Sequence, residues 1–231
     1  YITKQDVFKT YMELLPNTVK LSLLAVVIAI VVSIPLGINA AIHQNTWADT
    51  GSMFTSLLFV SMPQFWLGLL LMLAFALKLG WFPSGGNEDG LKSLILPAFT
   101  VGIGLAALMT RTTRSSMLET IRQDYITTAK AKGVSNKNAI YHHAFKNALI
   151  PIVTVGGMQL AQVLGGSVLA ETVFSYPGVG RLIVQSIERR DIPMVTGALI
   201  LTTIIVSVVN LATDIVYAFI DPRIKSQYAR K

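Results

Sequence analysis

Apolar residues run unbroken for long stretches along this chain. A helix needs about 20 of them to cross a bilayer. Five stretches qualify, near residues 21–42, 53–77, 94–118, 148–170 and 195–220. Pro35, Pro63, Pro97 and Pro151 fall in them or at their starts. Membrane helices tolerate such breaks, because neighbours re-satisfy the freed backbone groups. The pattern predicts an all-α, polytopic membrane bundle of one domain, with no internal repeat. Residues 1–20 are expected to lead into the first span and 221–231 to form a tail.

Between the third and fourth stretches the pattern changes. Residues 124–151 read "DYITTAKAKGVSNKNAIYHHAFKNALIP". Strong helix formers follow an acid at the N-terminal end, where a helix dipole favours negative charge. Gly133 then stands where a glycine ends a helix, and Ser135 can cap a second one. From there Ile140, Tyr141, Ala144, Phe145, Ala148 and Leu149 make an apolar face leading into the next span. The insert therefore reads as helix, glycine turn, helix. Scattered lysines alone would serve as charge decoration. A glycine-punctuated helix pair between two spans, where connections are usually shorter, points instead to docking.

Composition strengthens the membrane reading. Of 231 residues 52% are hydrophobic and 13% charged, against about 25% charged in soluble domains. Cysteine is absent, which removes disulfides, thiol nucleophiles and thiolate metal sites. The net charge of +7 is a membrane-loop bias rather than a nucleic-acid signature. Eleven Lys/Arg lie on the side holding the insert and eight on the other. The positive-inside rule then puts the insert (loop 119–147) and the C-terminus in the cytoplasm. Loops 82–90 and 171–194 fall outside.

Candidate chemistry within the spans is sparse. Gly157, Ala161 and Gly165 recur every fourth residue, a face that admits a close neighbouring helix. Gln159, Gln162 and Gly166 share a different face. A glutamine in hydrocarbon either joins helices by a hydrogen bond or lines a wet pathway. The same two readings apply to Gln64, beside Pro63, and to Asn210. Asp214, four residues on from Asn210, is close to the cytoplasmic end and badly placed for a proton relay. In the 171–193 segment the chain breaks at Pro177–Gly178 and then offers Val179, Leu182, Ile183 and Ile187 as an apolar helix face. Arg181 and 188–190 form its polar complement. This is either an outer gate or partner contact, made by Tyr176, Pro177, Gly178 and Arg181, or a loop cover.

No phosphate-binding loop, HExxH, nucleophile elbow or carboxylate pair occurs. His142 and His143 are adjacent and so point about 100° apart on a helix, unlike an i, i+4 metal pair. No metal site and no catalytic residue are expected, and the chain reads as a transport subunit rather than an enzyme.

The insert resembles the "EAA" cytoplasmic loop of ABC importer permeases. Thr127, Thr128 and Ala129 stand at the triplet, 130–132 at the spacer and Gly133 at the glycine. The missing Glu, "YITTAKAKG" and "KNALIP" are similar to the dipeptide/oligopeptide/nickel branch. So are "ETVFSYPGVGRL" (171–182), "IPLGINAA" (34–41) and "DPRIK" (221–225). The resemblance implies a type I ABC importer permease and one further N-terminal span absent from these residues. It implies a coupling helix seated on a cytoplasmic ATPase, with Asp124, Tyr125, Thr128, Ala129, Ala131, Gly133, Ile140 and His142 as its contacts. It further implies a second homologous permease subunit, two ATPase subunits that bind ATP and Mg, an extracytoplasmic solute-binding protein and a bacterial-type inner membrane. The alternatives are an ion-driven transporter, or the same family acting on a nickel chelate, glutathione or an opine.

Overall fold

The fold was obtained as a computed structural model, which describes residues 6–165 and 167–220. Gly166 and the tail expected at 221–231 lie outside these described residues. Ten helices follow in order: α1 Val7–Ile42, α2 Trp47–Ser61, α3 Gln64–Leu71, α4 Leu91–Ile121, α5 Asp124–Ala131, α6 Asn136–Asn138, α7 Phe145–Leu164, α8 Val168–Val173, α9 Val179–Glu188 and α10 Ile192–Ile220. Wider π-type turns extend α3 over Met72–Lys78 and join α6 to α7 over Ala139–Ala144.

α1 begins at Val7, not at residue 21. Asp6 caps it by accepting from the Lys9 N–H at 2.9 Å. Its first turns are held by packing: Tyr11 is buried with Val179 and Ala198, and its hydroxyl lies 3.0 Å from that of Thr202 on α10. Residues 7–20 are therefore helix continuous with the first span.

The second apolar stretch is two helices, not one. Pro63 donates no N–H, and it drives Met62 into extended geometry (φ −75°, ψ 130°). α2 and the extended α3 diverge by 100°. Among the described residues four helices are long and apolar enough to cross a membrane, five crossings if this bent pair is one.

α1 and α4 run parallel in close contact. A Cβ on Gly102 would stand 2.8 Å from the Ala25 carbonyl oxygen, and one on Gly37 2.5 Å from Thr113 Cβ. α7 and α10 run antiparallel: Gly157 faces Thr213 and Gly165 faces Val206. The small-residue face read from sequence is thus a helix seam. α7 stops at Leu164, earlier than the expected 170, and the chain turns into α8.

The loops sort to two ends. At one end, Arg114 forms a two-pronged ion pair with Asp49 (2.5 and 2.7 Å), and Arg122 donates to Gln44. The insert is at this end. At the other, Gly86 N–H donates to the Phe174 carbonyl, joining the 82–90 loop to the segment after α8.

Candidate functional site

The insert forms two helices meeting at a glycine. α5 closes in a paired turn: Gly133 N–H donates to Lys130 O (3.0 Å) and Val134 N–H to Ala129 O (3.2 Å). This motif needs a left-handed residue after the cap, and Gly133 has φ +86°. Ser135 accepts from the Asn138 N–H and starts the second helix.

Ile126 anchors α5. It is 1% exposed and joins a core cluster with Met117, Ala139, Ile140, Ala144 and Ala148. Tyr125 adds a polar tie, its hydroxyl accepting from Asn147 Nδ2 at 2.9 Å. Asp124, Tyr125, Thr128, Ala131, Gly133 and His142 are exposed, and Ala129 is half-buried. Ile140 departs from expectation. It is 6% exposed and packs inside the bundle, so it offers nothing to a partner. Tyr141, expected on the apolar face, is exposed, because the π-type turn over Ala139–Ala144 adds a residue and shifts the helical phase. His142 and His143 rings meet edge to face at 5.9 Å.

A cavity of about 400 Å³ opens between α3, α4 and α7. Gln64, Gln159 and Gln162 all line it, together with Thr100, Arg111 and Ser167. Gln159 is buried and donates to the Leu105 carbonyl at 3.3 Å, so it also joins helices. Asn210 is not part of the cavity lining. It is exposed on α10, as is Asp214, because the seam with α7 uses the face carrying Thr213.

The 171–191 segment is built around Glu171, a residue the sequence reading passed over. Glu171 is fully buried. Its carboxylate accepts from Thr18 Oγ1 (2.8 Å), Ser167 Oγ (2.8 Å) and the Arg181 N–H (2.9 Å). Thr18 Oγ1 in turn accepts from the Val179 N–H at 2.9 Å. The carboxylate thus lies against the free N–H groups at the start of α9, where the dipole favours it. Gly178 permits the approach, since a Cβ there would stand 2.3 Å from Glu171 Cδ. Asn17 Nδ2 donates to the Pro177 carbonyl, and the Arg181 guanidinium to that of Ser175. Tyr176 is 3% exposed, a core residue rather than a surface contact. Burial, with Glu171 nearby, raises the pKa of its hydroxyl. On α9, Val179 is buried, Leu182 and Ile183 half-buried, but Ile187 is 58% exposed.

The sequence pattern of the binding-protein-dependent transport system inner membrane component family matches residues 33–226. The chain belongs to this family. It is a multi-pass inner-membrane permease subunit of an ABC importer, not an enzyme, and acts with ATPase and binding-protein partners.

The permease is 40% identical to the oligopeptide transport system permease protein AppB of Bacillus subtilis (strain 168), over 93% of this chain and 71% of that protein. It is 39% identical to the dipeptide transport system permease protein DppB of Alkalihalophilus pseudofirmus, over 96% of this chain and 75% of that one. Its fold matches the MetNI methionine ABC transporter in an inward-facing form, with TM-score 0.78 and 18% identity over 92% of this chain and 96% of that one. An amino acid ABC transporter solved with histidines follows at TM-score 0.68 and 16% identity, over 94% of each chain. The permease therefore has the type I ABC importer fold.

In the permease, a buried carboxylate and an ion pair escaped sequence reading. Glu171 carried one signal, a lone acid in "VLAETVF" followed by two close glycines. The Asp49–Arg114 pair carried none, its partners being 65 residues apart.

Proposed function

We propose that this permease imports short peptides, and that the helix pair at 124–147 couples it to ATP hydrolysis. The observation that carries the coupling role is the seating of α5. Ile126 lies in the same core cluster as Met117 of α4 and Ala148 of α7. A push on α5 then moves two membrane helices, because close-packed interiors transmit displacement. The outward residues Asp124, Tyr125, Thr128, Ala129, Ala131, Gly133 and His142 meet the ATPase. The peptide substrate is supported by the names of the relatives at 39–40% identity.

On this reading the insert and the C-terminus are cytoplasmic. Two ATPase subunits bind ATP and Mg, and an extracytoplasmic binding protein delivers solute to the end carrying Pro177, Gly178 and Arg181. Gln64, Gln159 and Gln162 line the translocation pathway. A second homologous permease subunit and lipid cover the exposed apolar stripe Ile204, Val208, Leu211 and Ile215 of α10. An ion-driven mechanism would need an acid in the cavity, whereas Asp214 is outside its lining.

The test is Gly133→Asp in the complete transporter. A Cβ at Gly133 meets nothing within 4 Å, so no clash arises within the chain. The left-handed φ costs most residues about 1–2 kcal/mol, a strain that Asp and Asn alike relieve, so the Gly133→Asn control separates the added charge from the backbone effect. Gly133→Asp is expected to insert normally but to lose peptide uptake per ATP hydrolysed. Normal uptake by that variant would sink the coupling role.

A further inference from the structure

Arg111 and Arg114 lie on the half of α4 nearest the insert, Arg122 caps its end, and two of the three are satisfied. Arg114 is paired with Asp49, and Arg122 donates to Gln44. The Arg111 guanidinium has no hydrogen-bond or ionic partner among the described residues, and it lines the cavity. The side-chain amides of Gln64 and Gln162 likewise line it and find no partner among the described residues. Arg111 and Gln162 are exposed and Gln64 is half-buried, so all three hold their polar groups open toward one shared space, the arrangement by which a few convergent polar groups orient a ligand.

The geometry fits a particular solute. Val101, Gly104, Leu105, Leu108 and Arg111 recur three or four apart on α4 and all line the cavity. Arg111 is thus about 9 Å along the helix from Leu105, whose carbonyl holds Gln159. Three extended residues span roughly 10 Å. A short peptide lying along this stripe of α4 is therefore long enough to reach Arg111 with its C-terminal carboxylate. Guanidinium and carboxylate form the strongest class of side-chain hydrogen bond. A Cβ on Gly104 would meet nothing within 4 Å, so this glycine opens the cavity wall where substrate side chains pass.

Resting on the peptide-importer reading, we propose that Arg111 binds the terminal carboxylate of the transported solute and that Gln64 and Gln162 take its amide groups. Selection for a free carboxylate is then made in this chain, in addition to any selection by the binding protein. A lipid phosphate is the rival ligand, but Arg111 shares its helix stripe with the cavity wall.

The experiment uses the complete transporter in vesicles, with trialanine and trialanine amide as probes at equal occupancy of the binding protein. Arg111→Gln is expected to lower trialanine import about 10- to 100-fold, the loss of a charge-assisted hydrogen bond, and amide import less than about threefold. Arg111→Lys recovers most trialanine import, and all variants assemble with their partner subunits to the wild-type level. Equal losses for both probes, or lost subunit assembly, would assign Arg111 to lipid or to the second permease and overturn the proposal. Unchanged import in Arg111→Gln overturns it too. If the wild-type transporter imports neither probe, the peptide-importer reading itself falls, a result distinct from the others.

Discussion

Replacing Glu171 by alanine removes the acceptor around which the 171–191 segment is assembled. Three donors lose their partner: Thr18 Oγ1, Ser167 Oγ and the Arg181 N–H, all within 2.9 Å of the carboxylate. A hydrogen bond to a charged group contributes about 1.5–3 kcal/mol, and each buried donor left unmet costs about 1–3 kcal/mol. The donors share one network, so the losses do not add, and Glu171→Ala is expected to cost about 4–5 kcal/mol. Glu171→Gln keeps the shape and one accepting oxygen, but sets an NH2 group against a donor. About 2–3 kcal/mol is expected for it. Equilibrium unfolding in mixed detergent micelles, read by the three tryptophans, measures both. Thr172→Ala is the control: that side chain is exposed and bonds only to Val168 O one turn back, so it should cost under about 0.5 kcal/mol. A Glu171→Ala variant within about 1 kcal/mol of wild type would refute the buried-acceptor account.

Two further predictions concern helix contacts. A Cβ on Gly157 would stand 2.0 Å from Thr213 Cγ2, so Gly157→Ala should destabilise the α7–α10 seam by about 1–3 kcal/mol. Thr213→Ser deletes the obstructing methyl and should recover most of that loss in the double variant; additive losses would contradict the contact. Asp49→Asn breaks a two-pronged ion pair whose acid is 5% exposed and whose arginine is 23% exposed. It should cost about 2–3 kcal/mol, below the fully buried case because Arg114 reaches water. A double-variant cycle with Arg114→Gln should show coupling above about 1 kcal/mol, and a coupling near zero would show that the pair contributes nothing.

The parts legible in sequence were those set by local rules. Spans three and five needed only apolar length, and α4 and α10 extend a few residues beyond the expected bounds. The turn at Gly133 and the cap at Ser135 depend on conformational preferences expressed within a few residues. The Gly157–Ala161–Gly165 face was legible because helical spacing alone aligns small side chains. Ile140 was misread because its apolar character serves an internal core as well as a partner surface. The 62–63 break was underread: Pro63 marked a kink, but a 100° turn depends on what α3 packs against.

The amino-acid order by itself determined that this chain lives in a bilayer, that its polar insert is two helices, and which loops share an end. These follow from burial of apolar length, backbone preference and the alternation of crossings. Only the tertiary structure decided that Glu171 is buried among Thr18, Ser167 and Arg181. Only there did Arg114 find Asp49, Arg111 stay unpaired among the described residues, and three glutamines from two helices come to one cavity. The reason is physical: a polar side chain's meaning depends on which distant donor or acceptor reaches it, and helix packing, not sequence neighbourhood, supplies that partner.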